Sequence, residues 1–208
     1  MKCIEETIAT VTRYFERAVV SEPIEVEILE SLSDMSGPIP AEFTEFLLTA
    51  NGLNLHLHDS VVGHVYGFPD LQRVLEYAAK LKELKLIPVR GDGCGNYDCL
   101  DIGTGPTRGA VLFWDHEVYE RPSYLLGGTF TTYLDMWADN VMSCFFRNGD
   151  RNTDYVPRRL EVWPWLGPAP QAHPWPFDEK WMRRRDSRAD SLLADHFLRA
   201  QLVPSTCE

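Results

Sequence analysis

Three apolar or alternating runs between residues 86 and 116 lie so close together that one arrangement suits them best. Leu86–Arg90 leads into Gly91-Asp-Gly-Cys-Gly95, an alternating run follows over 96–102, Gly103-Thr-Gly-Pro106 turns the chain again, and an almost wholly apolar run occupies 109–116. Connections this short join antiparallel neighbours and cannot cross over between parallel strands. The middle of the chain is therefore predicted to be an antiparallel meander with acidic groups at its strand ends.

The flanks read as helices. Ile4, Ile8, Val11, Phe15, Ala18 and Val19 recur at helical spacing and predict a helix over 4–20, with Glu5 and Glu6 in the first turn where the helix dipole favours them. Residues 21–38 permit a short strand and a turn and specify neither. Pro40 suits a first helical position; Phe43, Phe46, Leu47 and Ala50 then follow until Asn51-Gly52, read as a left-handed stop. One or two strands are expected in 53–66, and Asp70 is expected to cap a helix lined by Leu71, Val74, Leu75, Ala78 and Leu81. Thr129 caps a last helix whose stripe is Phe130, Tyr133, Leu134, Trp137, Val141 and Phe145, ending at Asn148-Gly149.

This order predicts an α+β fold, a mixed and mainly antiparallel sheet packed against several helices. Residues 1–149 form the main domain. Residues 150–208 form an extension: an irregular segment holding six prolines and three tryptophans up to Phe177, expected to pack on the main domain, then a helix from Asp178 to about Leu202.

Charge narrows the function. The chain carries 31 Asp and Glu against 20 Lys and Arg, for a net charge of −11. Residues 1–148 hold 22 acids and 11 bases, residues 149–208 nine of each, and no base lies between Arg17 and Arg73. Such a surface repels phosphate backbones and attracts basic partners, so direct nucleic-acid binding is disfavoured. No run approaches the roughly 18 apolar residues of a membrane span, and the amino terminus does not read as a signal peptide. A cytoplasmic protein is expected, its five cysteines free thiols.

Four motifs in order carry a family likeness: Ile39, Pro40, Phe43, Phe46, Leu47, Asn51 and Gly52; Asp92, Gly93, Gly95, Tyr97 and Asp101; Gly109, Val111, Phe113 and Asp115; and Phe130, Tyr133 and Leu134. Together they resemble the SUKH superfamily, the Smi/Knr-like family, over about residues 4–147. The resemblance implies a compact α+β domain without catalytic residues. In bacteria such domains are mostly immunity proteins that neutralise a cognate polymorphic toxin, often a nuclease or deaminase; a fungal relative regulates cell-wall synthesis through protein contacts. Ile39 stands where leucine is commoner, and the last 60 residues exceed the usual domain.

Chemical readings of the central stretch compete with this. Gly91–Gly95 lacks the Lys-Ser/Thr ending of a phosphate loop and carries Asp92, so it reads as a turn. Cys94, Cys99, His116 and Asp115 suggest a thiol nucleophile, but strand thiols are mostly small buried hydrophobes. Cys94, Cys99, His56 and His58 lack paired zinc-ligand spacing. Asp98, Asp101, Asp115 and Glu117 as paired acids or magnesium ligands compete with solvated strand ends. The basic run Lys180–Arg188 is read as balancing the acidic body, and the Trp and Pro cluster as a packed cover.

No catalytic residue, metal or cofactor is expected. The reading is a non-enzymatic immunity protein whose acidic face covers a toxin's basic catalytic cleft. The partner-binding residues are Asp92, Tyr97, Asp98, Asp101, Trp114, Asp115 and Glu117, with Tyr97 or Trp114 as aromatic anchor and the acidic segment 22–45 as a further contributor. The alternatives are a regulatory protein-interaction scaffold of the same fold and a metal-dependent hydrolase or transferase using the acids.

Overall fold

In the computed structural model the described residues are 3–15, 17–57, 60–61, 67–71, 81–91, 95–118, 120–147, 150–151 and 179–194. The predicted meander is present and one strand longer than expected. β4 (Leu86–Gly91), β5 (Tyr97–Asp101), β6 (Val111–Trp114) and β7 (Tyr124–Gly127) form a four-stranded antiparallel sheet in that order. Pro88 is tolerated because β4 is an edge strand, and a register shift lies between Pro88 and Arg90. β7 escaped the sequence reading because Tyr124-Leu125-Leu126 is too short a run to show alternation.

A second sheet holds β1 (Arg17–Val20), β2 (Leu53–Leu57) and β3 (Ser60–Val61), with β1 and β3 at its edges. Here the first helix is corrected. α1 covers Ile4–Tyr14 only, opened by a capping box in which the Cys3 sulfur accepts from the Glu6 amide. Phe15 turns the chain into extended backbone, and residues 17–20 pair with β2, from Arg17 opposite His56 to Val20 opposite Leu53. The β-branched pair Val19-Val20 suits that strand better than another helical turn.

Residues 26–36, left open by the sequence, form α2 (Val26–Ser36), which buries Leu29 and Leu32. α3 (Ala41–Thr49) starts one residue later than expected, with Pro40 at its N-cap. Its end differs: Ala50 is already extended, and the Asn51 side chain accepts from the Leu71 amide at 2.8 Å. Gly52, at φ +116°, lies against Asp70, where an added Cβ would meet the Asp70 nitrogen at 3.0 Å. The Asn-Gly pair thus ties α3 to the start of a distant segment. Residues 72–80 of the helix expected there, and residues 152–178 of the Pro/Trp segment, lie outside the described residues.

α4 (Phe130–Phe145) is the centre of the core. Phe130 packs on Phe43, Phe46 and Phe68 with ring centroids 5.0, 5.2 and 6.3 Å apart, and Trp137 meets Phe68 at 4.8 Å. Each such ring is worth about 1.5–3 kcal/mol when buried. Residues 146–147 and 150–151 pair as a small hairpin, β8 and β9.

The terminal helix is also corrected: it is two helices, α5 (Glu179–Arg185) and α6 (Ala189–Leu192), broken at Asp186, while residues from 195 onward lie outside the described ones. The carboxylate of Asp186, 1% exposed, accepts from the Gly128 amide, the Thr132 hydroxyl and the Arg188 amide. A Cβ on Gly128 would fall 2.8 Å from that carboxylate, so glycine makes the approach possible. The Arg188 guanidinium donates to the carbonyls of Gly128, Pro106 and Arg108. Arg185 pairs with Asp135 and Asp139 on α4 and lies over Trp181. Asp186→Ala leaves the Gly128 amide without its acceptor, and is expected to lower stability by about 1–3 kcal/mol in urea unfolding and to expose α5 and α6 to trypsin.

Candidate protein-binding surface

Strand parity separates the residues that the sequence groups together. Asp98 and Leu100 point to one face of the sheet, Tyr97, Cys99 and Asp101 to the other. The first face meets α4. There Asp98, 2% exposed, accepts from the Arg90 Nε at 2.6 Å, and the Tyr133 hydroxyl donates to the same oxygen. Arg90, 6% exposed, also reaches the Tyr133 oxygen at 3.2 Å. Burial alone works against the Arg90 charge, but Asp98 and Tyr133 outweigh it and hold the guanidinium's pKa above its ordinary value. Burial, reinforced by Asp98, pushes the Tyr133 hydroxyl up, so it stays a donor. Asp98 is therefore an interior ion-pair partner and not a surface contact.

Asp101 is corrected as well. Its carboxylate accepts from the Gly103 amide at 2.7 Å and the Thr107 hydroxyl at 2.5 Å, which folds the β5–β6 turn. Arg108 steadies that turn from the other side through the carbonyls of Ile102, Gly103 and Pro38. Trp114 is buried at 5% exposure and stacks on the half-buried Tyr97, centroids 6.1 Å apart, so Tyr97 alone of that pair presents appreciable surface.

Of the predicted set, Tyr97, Asp115 and Glu117 reach the surface, at the end of the sheet formed by the β4–β5 and β6–β7 connections; Asp92 lies outside the described residues. Asp115 accepts from the Glu117 amide at 2.8 Å. Asn96 bridges the two connections, its side-chain oxygen accepting from the His116 amide at 3.1 Å and lying 2.7 Å from His116 Nδ1. Asp115 is 4.0 Å from that ring, and Gly95 packs on it. Cys99 is buried on the Tyr97 face; desolvation, with Asp98 adding to it, pushes its thiol up and leaves it a poor nucleophile. Among the described residues no group of three or more His, Cys, Asp and Glu is placed to hold a metal, and no helix is long and apolar enough to cross a membrane.

Most of the core around this arrangement falls within one family pattern: residues 24–136 match the SMI1 / KNR4 family (SUKH-1). The chain belongs to this family. Compared with the curated proteins, it matches none. The SUKH-1 region includes the buried Arg90, Asp98 and Tyr133 and leaves α1, β1, α5 and α6 outside.

A surface that sequence reasoning located only as an acidic segment lies at the margin of the SUKH-1 region. Val19, Val20, Val26, Ile28 and Leu48 are exposed large hydrophobics on β1, α2 and α3. Glu22, Glu25, Glu27, Glu30 and Glu45 are exposed among them. The signal available in the sequence was the absence of any Lys or Arg between residues 17 and 73.

Two outcomes follow from the interior of the site. Asp98→Ala strands the buried Arg90 charge, and chemical denaturation is expected to show a loss of about 3–5 kcal/mol, against about 1 kcal/mol for Tyr133→Phe. In native protein at pH 8 a thiol reagent is expected to label the exposed Cys3 and spare Cys99 until urea is added, read by mass mapping of the two peptides.

Proposed function

We propose that this SUKH-1 chain works by contact and not by catalysis, as the immunity partner that binds and neutralises a bacterial toxin acting on nucleic acid. The observation that carries the reading is the family match over residues 24–136, since the likeness to this family implies immunity. The charge distribution supports it. A toxin that handles nucleic acid presents Lys and Arg in its cleft, and a body of net charge −11 is steered toward such a cleft.

The central stretch supplies little chemistry for the hydrolase alternative. Asp98 is committed to Arg90, Asp101 to its own turn, and Cys99 is buried. Among the described members of the predicted set, Tyr97, Asp115 and Glu117 are able to touch a partner, and the exposed glutamates of α2 add to the acidic face. A cytoplasmic location suits neutralisation before the toxin reaches its substrate.

Neutralisation is tested by sequencing the genes that flank this one and expressing the carboxy-terminal module of the large secreted chain expected there, with and without the SUKH-1 chain. Survival with the chain present, and a complex that weakens about tenfold or more between 50 and 300 mM salt, is the expected result. Equal killing with and without the chain would remove the immunity reading; a salt-insensitive complex would remove its electrostatic part.

A further inference from the structure

We propose that β1 and the adjoining α2 form a docking surface for a lysine- or arginine-rich extended segment of the partner protein, which adds as a strand beside β1. The proposal rests on the protein-binding reading above and names its site and the chemistry of its occupant. Consecutive side chains of a strand point to opposite faces, yet Val19 is 40% and Val20 is 41% exposed. The end of β1 is therefore uncovered on both faces. Among the described residues only β2 pairs with it, and none of them adds a strand along its other edge.

Open edges are usually guarded by lysine, proline or a bulge, because their free amide and carbonyl groups template further pairing. Past Arg17 this edge has none of them until Pro23. Beyond this edge the chain carries exposed glutamates as well as exposed apolar groups. The Ser21 amide donates to the Gly52 carbonyl and the Ile24 amide to the Leu47 carbonyl, so residues 20–26 run along the end of α3. That course leads from Val20 past Leu47, the neighbour of the exposed Leu48, to the exposed Val26 that opens α2.

Charge selects the occupant. Glu22, Glu25, Glu27, Glu30 and Glu45 are all exposed around these apolar groups, and no basic residue occurs from 18 to 72. An acidic strand would be repelled, and a nucleic acid would be repelled and offers no amide ladder. A polypeptide alternating cationic and apolar side chains meets each demand: main-chain bonds to the edge, apolar groups on Val19 or Val20, and cations on the glutamates.

The probe is a synthetic ten-residue peptide alternating lysine and valine, titrated into the full-length 15N-labelled chain. Saturable shifts centred on the amides of residues 18–22, absent with an alternating glutamate and valine peptide and weakened at least tenfold in Val20→Lys and in Glu22→Lys, are expected. Both substitutions lie at exposed positions, and an unchanged melting temperature verifies the fold. Shifts centred on residues 115–117, no shifts, or an equal response to the acidic peptide would overturn the proposal. This titration involves no toxin, so its failure is separate from a failure to protect cells.

Discussion

A buried arginine must be answered, and the way this chain answers Arg90 ties its layers together. The guanidinium comes from an edge strand, its counter-charge Asp98 from the neighbouring strand, and the hydroxyl that completes the pair from Tyr133 on α4. A lone charge in that position would cost several kcal/mol, whereas the pair with a third hydrogen-bonding group is tolerated. The arrangement therefore works as a registration device. Asp98 stands opposite Arg90 only with the shift between Pro88 and Arg90 in place, and Tyr133 reaches both only when α4 lies at the correct height above the sheet.

The same helix fixes the rest of the molecule from its amino-terminal end. Glu42 of α3 accepts from the Thr131 amide, and Asp186 accepts from the Gly128 amide and the Thr132 hydroxyl, so two carboxylates converge where the helix dipole is positive. One belongs to the SUKH-1 region and the other lies 50 residues beyond it. The extension is thus held by the same physical device that holds α3, and the three carbonyls engaged by Arg188 widen that attachment. The basic residues nearest α5 and α6 answer carboxylates on α4 and within the extension itself, which is where much of their charge is used.

What could be read from the sequence was whatever local rules decide. Short connections dictated the meander, and the spacing of Phe130, Tyr133, Leu134 and Trp137 dictated α4. What could not be read was decided at long range. By spacing alone Val19 continues the helical stripe of α1, and pairing with β2 places it and Val20 in a strand. Asn51-Gly52 looks like a helix stop, but its amide oxygen serves Leu71. Asp186 sits in a helical pattern and breaks it, because its partners lie 54 and 58 residues away. In the candidate site the parity of β5 already placed Asp98 opposite Tyr97 and Asp101, so part of the misgrouping was avoidable. The burial of Trp114 was not, since it depends on what covers that face of the sheet.

The acids of this chain divide into two populations with different physics. Asp98, Asp101 and Asp186 are engaged inside, where each is matched to donors and is silent toward a partner. The glutamates of residues 22–45 lie mostly in solvent, where single charges contribute little to stability and act through their sum. A formal charge of −11 therefore overstates what the central sheet can offer and understates what the β1–α2 margin can. Internal engagement thus draws carboxylates of the meander into the protein interior, while the glutamates of α2 are exposed, and the acidic field of this fold is weighted toward the margin beside Val19 and Val20 of β1.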